Sequence, residues 1–388
     1  MKTSSPEPWR IVHSEASLGW GGQEHRVMAE LTGFQRRGCS VFLVADPQSQ
    51  IMTRAKAAGI PTMPCTFDRK WLPWEVLRLA RWLRRERIQI VNTHSSRDGL
   101  QLGVAARLSH TPLVVRTRHI DVIDRNPKFS RYKFTTLADH ALTTSQKITD
   151  YIRRTFRLPD DRVTTLPTGI DTALYEQQGP RAELPVRTGP EAAPVVGMVS
   201  VLRSWKGHPT FFEAVQKLRA AGRNFQFVVV GGGVPVEIYR EKARAFGVED
   251  QVQFTGHRED VADVLRALDV LCIPSLAHEG VPQIGLQALA CGTAVVGSDC
   301  GGIPEIIQEG RTGRIFPKGD ATALAARIAE AIDEPERTQQ MCRAGRAKVE
   351  NEHSLEIMLD RLDVIYRRHL EQEVTEKSAS RPPCRAFC

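Results

Sequence analysis

The chain has 388 residues, of which 41% are hydrophobic and 25% charged; this balance suits a globular protein of two or three domains and excludes a peptide, a toxin or a lone binding module. The net charge of +8 is one-sided: residues 1–175 hold 27 Lys and Arg against 16 Asp and Glu, whereas residues 176–388 hold 26 against 29. The first half is therefore fitted to something anionic, such as a membrane surface, a phosphorylated lipid or nucleic acid.

From Arg10 onward, short β-branched runs alternate with amphipathic stretches: RIVH (10–13), VFLVA (41–45), IQIVNTH (88–94), LVVR (113–116), ALTTS (141–145) and VTTLP (163–167). Helical spacing between them, such as Val27, Leu31 and Phe34 after Gly21-Gly22, predicts a repeated β-α unit with a parallel sheet. Residues 69–87, RKWLPWEVLRLARWLRRER, carry seven basic and two acidic residues together with Trp71, Trp74, Leu77 and Trp82. They read either as an interfacial helix on anionic lipid or as a solvated basic face whose apolar side is core.

Residues 176–194, EQQGPRAELPVRTGPEAAP, break the pattern and read as a linker. The alternation restarts with VVGMVS (195–200), FQFVVVG (225–231), VQFTG (252–256), VLCIPS (270–275) and AVVGSD (294–299). The expected organisation is a Rossmann-like domain over 1–175, the linker, and a second Rossmann-like domain over 195–352. An amphipathic helix over 353–374 packs back on the first domain, and a disordered tail covers 375–388. Two doubly wound domains place a ligand cleft between them, at the carboxyl ends of the strands.

No apolar run approaches the ~18 residues that span a bilayer. The opening MKTSSPEPWRIVHSE lacks the apolar core of a secretory signal, and the eight cysteines contain no CxxC pair. A cytoplasmic chain without disulfides or a zinc knuckle is expected.

The most informative segment runs from Ser275 to Gly313 and reads as strand, loop, helix, strand, Gly-Gly loop and helix. Its loop His278-Glu279-Gly280-Val281-Pro282 falls at a strand's carboxyl end, and Pro282 suits the first turn of a helix ending near Gly292. Amides at that helix start can cradle a diphosphate, since unpaired N–H groups and the dipole both favour an anion. Glu279 then lies beside the attached sugar, or else only caps the helix.

This segment resembles the signature of the family 4 retaining glycosyltransferases of the GT-B fold, the type that builds bacterial lipopolysaccharide and cell-surface polysaccharide. Glu279, the ACG at 290–292, the AVV at 294–296 and Gly301-Gly302-Ile303-Pro304-Glu305 match it. Gln287 stands where the family carries a second Glu for the nucleotide ribose, keeping hydrogen bonds but losing the charge. VVGMVSVLRSWKGHPTFFEAV (195–215) is similar to the family's diphosphate-binding stretch: Lys206-Gly207 is in place, Val201 occupies the usual Arg position, and Arg203 is the nearest cation. Such cations would stabilise the departing diphosphate, although basic residues are also common on any surface. Gly21-Gly22 is similar to the family's Gly-rich loop, and RTRHID (116–121) to the strand end whose His meets the donor sugar. LADHALTTSQKI (137–148) and LPTGIDTALY (166–175) extend the likeness, with Thr168 replacing the usual Asn.

The resemblance implies an α/β GT-B architecture, two Rossmann-like doubly wound domains facing each other across a cleft. It implies transfer of a hexose-type sugar with retained configuration from a UDP-, GDP- or ADP-linked donor to a lipid-linked, lipopolysaccharide or polysaccharide acceptor. The implied catalytic residues are His119, Arg203, Lys206 and Glu279. Donor contacts fall to Gly22, Gly280, Val281, Pro282, Gln287 and Arg258, and acceptor contacts to Gly21 and His94. No Asp-x-Asp pair occurs, so neither metal nor other cofactor is expected and cationic side chains would replace the metal's charge. Partners are the donor, a glycan or glycolipid acceptor and the anionic inner face of the membrane. Nucleic acid is not expected, because no recognised motif interleaves aromatics with the basic residues. A catalytically silent relative that binds sugar nucleotide or scaffolds other proteins is the alternative. The Gly231-Gly232-Gly233 run lacks the full G-x-G-x-x-G spacing and makes a poor dehydrogenase signal.

Overall fold

The structure, a computed structural model, describes residues 8–67, 72–122, 124, 126–186 and 192–379. Residues 1–7, Arg69 to Trp71 of the basic stretch, 187–191 of the linker and 380–388 of the tail lie outside the described residues.

The first half alternates β1 (Arg10–Glu15), α1 (Gly22–Arg36), β2 (Ser40–Ala45), α2 (Gln50–Ala57), β3 (Thr62–Pro64), α3 (Leu72–Arg85), β4 (Ile90–Thr93), α4 (Asp98–Ser109), β5 (Leu113–Arg118), α5 (Pro127–Thr135), β6 (His140–Thr143), α6 (Gln146–Phe156) and β7 (Val163–Thr165). The second runs β8 (Val195–Val199), α7 (His208–Ala220), β9 (Gln226–Val230), α8 (Glu237–Ala245), β10 (Val252–Gly256), α9 (Val261–Ala267), β11 (Val270–Ile273), α10 (Gln283–Cys291), β12 (Ala294–Ser298), α11 (Ile303–Ile306), β13 (Arg314–Phe316), α12 (Ala321–Asp333) and α13 (Pro335–Glu352). A final helix, α14, spans Leu355–Ala379.

The strands form two wholly parallel sheets, ordered β3-β2-β1-β4-β5-β6-β7 and β10-β9-β8-β11-β12-β13. Parallel strands need helical crossovers, which cover both sheet faces and bury the strands on both sides. That is why VFLVA and VVGMV read as continuous apolar runs. Strand order reverses between β1 and β4 and again between β8 and β11. Each reversal opens a crevice beyond the strands' carboxyl ends.

Two edge strands of three residues, β3 and β13, escape the sequence pattern because so short a run leaves no periodicity. The last helix is longer than expected and continues to Ala379, into the stretch read as a disordered tail. Its residues Leu355, Met358, Leu359, Leu362, Ile365 and Tyr366 join one apolar cluster with Leu31 and Phe34 of α1 and Ile11, Ile90 and Leu113 of the sheet. Trp9 Nε1 donates to Asp363 Oδ1 at 2.8 Å. The end of the chain therefore completes the core of its beginning.

Candidate active site

In β1, β4 and β5 apolar residues (Ile11-Val12, Ile90-Val91 and Leu113 to Val115) precede polar ones that collect, buried, toward the carboxyl ends: His13-Ser14-Glu15 in β1, Asn92-Thr93 in β4, and Arg116-Thr117 in β5. Buried polar groups carry a desolvation cost and persist where they are bonded to one another. Asp98 accepts from Ser14 Oγ (2.7 Å), the His94 amide (2.8 Å) and the Ser95 hydroxyl (2.6 Å). Glu15 accepts from the Ser17 amide and from the side chain of Gln23. Burial first, then the neighbouring Asp98, pushes its carboxyl up to about 8.

His119 follows β5 and stands at the cleft with 9% of its surface exposed. Its Nε2 meets His94 Nδ1 at 2.9 Å, and His94 Nε2 meets His13 Nδ1 at 2.9 Å. Both ring nitrogens of the buried His94 are thus occupied. His94, expected at the acceptor, stands here behind His119 in a chain of three histidines. His13, His94 and Glu30 form the one grouping of potential metal ligands among the described residues. Two nitrogens bound to one zinc ion stand roughly 3.3 Å apart, and here 2.9 Å separates the pair while Arg26 Nε holds Glu30 at 2.6 Å. The arrangement is that of a hydrogen-bonded chain.

Across the cleft, the turn Ser204–Lys206 after β8 and the loop after β11 bring two charges together. Lys206 Nζ lies 2.5 Å from Glu279 Oε1, which also accepts from Ser275 Oγ at 2.7 Å. Gly207 closes the turn at φ 77°, where a Cβ would fall 1.7 Å from the Pro274 carbonyl oxygen, so no other residue fits. Glu279 does not cap α10; the helix begins behind Pro282 with no side-chain cap. Arg203 is exposed and lies over the Trp205 ring at 5.1 Å.

The two walls touch. The Val281 amide donates to the Thr144 carbonyl at 3.3 Å, and Thr144 Oγ1 donates to the His119 carbonyl at 2.9 Å. A Cβ on Gly280 would sit 2.1 Å from Thr144 Oγ1. Gly280 and Val281, expected at the diphosphate, make the contact between the two walls in this closed arrangement. Gln283 Nε2 donates to the Gly22 carbonyl, and Gly21 faces the Val201 side chain. Gln287 Nε2 donates to Tyr175 Oη at 2.8 Å. Arg258, expected as a donor ligand, forks onto Asp260 and donates to the Glu183 carbonyl at 3.1 Å, which ties it to the linker.

Sequence reasoning missed Glu305 as a bridge. Its carboxylate accepts from the Gln146 amide at 2.9 Å and so caps α6 of the first domain from the second, while burial raises its pKa. No local signal marks a cap whose partner is 159 residues away.

Two doubly wound domains with polar strand ends converging on one cleft define a GT-B-type protein. Residues 20–174 match the family described as Glycosyltransferase Family 4, and residues 181–348 match Glycosyl transferases group 1. A D-inositol 3-phosphate glycosyltransferase from Corynebacterium efficiens is 31% identical over 50% of this chain and 48% of its own. A GDP-mannose-dependent monoacylated alpha-(1-6)-phosphatidylinositol monomannoside mannosyltransferase from Corynebacterium glutamicum is 32% identical over 51% of this chain and 54% of its own. The chain spans about half the length of these curated relatives. The crystal structure of a glycosyltransferase from Rickettsia africae superposes with a TM-score of 0.82 at 18% identity, covering 94% of this chain and 99% of that one. The chain belongs to glycosyltransferase family 4 and has the GT-B fold.

Proposed function

We propose that the protein moves a hexose-type sugar from a nucleotide-diphosphate donor to a glycan or glycolipid acceptor, with retention of configuration and without a metal ion. The observation that carries this reading is the Lys206–Glu279 pair, closed at 2.5 Å at the reversal of strand order in the second sheet. Negative charge grows on the diphosphate as it departs, and Lys206 and Arg203 supply fixed positive charge for it. Glu279, held by Lys206 and Ser275, faces the positive charge that develops on the sugar ring. None of these residues is a free strong base; the departing phosphate takes the acceptor's proton on the same face, which retains the configuration. His119 positions a sugar hydroxyl. The domains must part to admit the donor and close again over it.

The name of the Corynebacterium glutamicum relative supports a nucleotide-sugar donor and a lipid-linked acceptor. So does α3, whose Trp74 (71% exposed), Leu77, Arg81 and Arg85 share one helical face. Trp82 does not belong to that face, since it is buried edge-on against Phe42. No helix among the described residues is long and apolar enough to cross a membrane. We place the protein in the cytoplasm, held at the inner membrane face through α3 and anionic lipid.

A thermal-shift screen of UDP-, GDP- and ADP-sugars identifies the donor; release of nucleotide in the presence of EDTA, with the product anomer read by NMR, then tests the reaction. Loss of activity with EDTA, restored by manganese, overturns the metal-free reading. Donor binding without turnover on any acceptor supports the second reading, a silent sugar-nucleotide binder or scaffold. That reading draws on Gln287, which replaces a carboxylate and is tied to Tyr175.

A further inference from the structure

His13, His94 and His119 climb the first sheet like a staircase. His13 pairs in register with Asn92, and Asn92 pairs with Val115. His94 therefore stands one strand over and two residues higher, and His119 one strand further and two residues higher again. Residues two apart in a strand share a face, so the three rings lie on the side of the sheet covered by α1 and α14. The staircase starts in the core, where His13 has no exposed surface, and ends at the cleft.

The protons on this chain can be counted. Each ring is buried and its pKa is lowered, by burial first and then by neighbouring charges that include Arg26. A neutral imidazole carries one N–H, and each of the two N···N bonds holds one proton. Only two patterns satisfy both bonds. In one, every ring is protonated at Nδ1, so that His119 Nδ1–H faces the cleft and His13 Nε2 is bare. In the other, every ring is protonated at Nε2, His119 Nδ1 is bare, and His13 Nε2–H points into the core. Among the described residues His13 Nε2 has no hydrogen-bond partner there. An orphaned N–H in the core is rarer and more costly than an orphaned lone pair. Glu30 Oε2 also lies 3.7 Å from His13 Nδ1, where it favours a proton over a lone pair.

We infer that His13 and His94 are positioning residues that lock His119 as the Nδ1–H tautomer and so present a hydrogen-bond donor, never an acceptor, to an oxygen of the ligand in the cleft. The tautomer follows from the fold alone; its kinetic effect rests on the proposed sugar transfer. A donor-only His119 selects ligands that offer an oxygen lone pair at that point and leaves a hydroxyl's own proton for another partner. The charged and titratable groups facing the chain are Glu30 and Arg26 from α1, Arg116 from β5, Asp98 from α4 and Tyr366 from α14.

Nitrogen-15 NMR of the full chain with labelled histidine reads the tautomer without any substrate; the loss of one signal in His119→Asn assigns it. Expected is a protonated Nδ1 and bare Nε2 on His119 at neutral pH. A bare Nδ1 in the native protein overturns the inference, whatever the activity. His94→Phe cuts both bonds and His13→Phe cuts one, and in each the Nε2–H form of His119 should grow. An unchanged tautomer in both folded variants also overturns it, and if neither folds the native spectrum decides alone. In the transfer assay, His94→Phe should lower kcat about tenfold with the acceptor KM unchanged. A rise in acceptor KM at constant kcat would return His94 to direct acceptor contact and defeat the positioning role. An inactive native enzyme whose His119 still shows Nδ1–H would sink the proposed reaction and leave the tautomer lock standing.

Discussion

The two walls of the cleft solve different problems. The second domain's wall carries opposite charges in contact, Lys206 on Glu279, with Arg203 exposed beside them. The first domain's wall presents neutral rings and a carboxyl, Glu15, that burial pushes up to about 8 and so keeps protonated at neutral pH, with its charges paired behind them as Arg26 on Glu30. Fixed charge is useful where charge develops, at the departing diphosphate. Neutral donors are useful where hydroxyls must be oriented, because a buried unpaired charge there would carry a desolvation cost and return nothing. One fold used twice thus supplies an electrostatic wall and a positioning wall.

The comparison breaks most visibly at Lys206. Lys206→Ala should lower turnover by two to three decades, about 3–4 kcal/mol of transition-state stabilisation, while His119→Asn should cost far less. Equal losses in steady-state kinetics would mean that the walls share the electrostatic work.

Glu15→Gln tests the neutrality of the other wall through stability. The folded-state pKa of Glu15 is raised above its ordinary value of 4.5. Below that value both states are protonated and nothing is lost; as pH climbs toward about 8, the unfolded state ionises while the folded state resists, and stability falls. Glu15→Gln should therefore be nearly neutral at pH 4 and stabilising at pH 8, on the order of 2 kcal/mol. Urea unfolding at both pH values measures this, and a gain independent of pH would show that Glu15 is ionised in the fold.

Glu279→Gln should slow turnover by at least one decade, about 1.4 kcal/mol. A full rate in the folded variant would take Glu279 out of the reaction. The smallest effect belongs to Gln287→Glu. It restores a charged acceptor and should tighten the donor complex by roughly 1 kcal/mol, with less change in turnover because the ribose is remote from the breaking bond. Calorimetry on Gln287, Glu and Ala variants checks it; three equal affinities would mean that this side chain only anchors Tyr175.

What the amino-acid order reveals depends on how local each signal is. The central strands are legible because a run such as VFLVA is apolar along its whole length, and Lys206 and Glu279 are legible because each sits in a compact motif. The histidine staircase is not: it joins positions 81 and 25 residues apart, and only the register across β1, β4 and β5 aligns them. The tie of Arg258 to the linker is equally illegible, because the Glu183 carbonyl that accepts from it lies 75 residues away in the chain. On α3 of the basic stretch, Trp74 faces out and Trp82 faces in, a division that the 3.6-residue period makes legible.

The return of α14 to the first domain has a consequence for biosynthesis. Tyr366, without exposed surface against Phe34, is made 201 residues after the last strand of the first sheet ends at Thr165. At roughly 5–20 residues per second a ribosome needs about 10–40 s to supply it. During that interval Leu31, Phe34 and Ile11 have no outer layer. The outer layer of the first sheet's core is thus supplied only after the whole second sheet has been made.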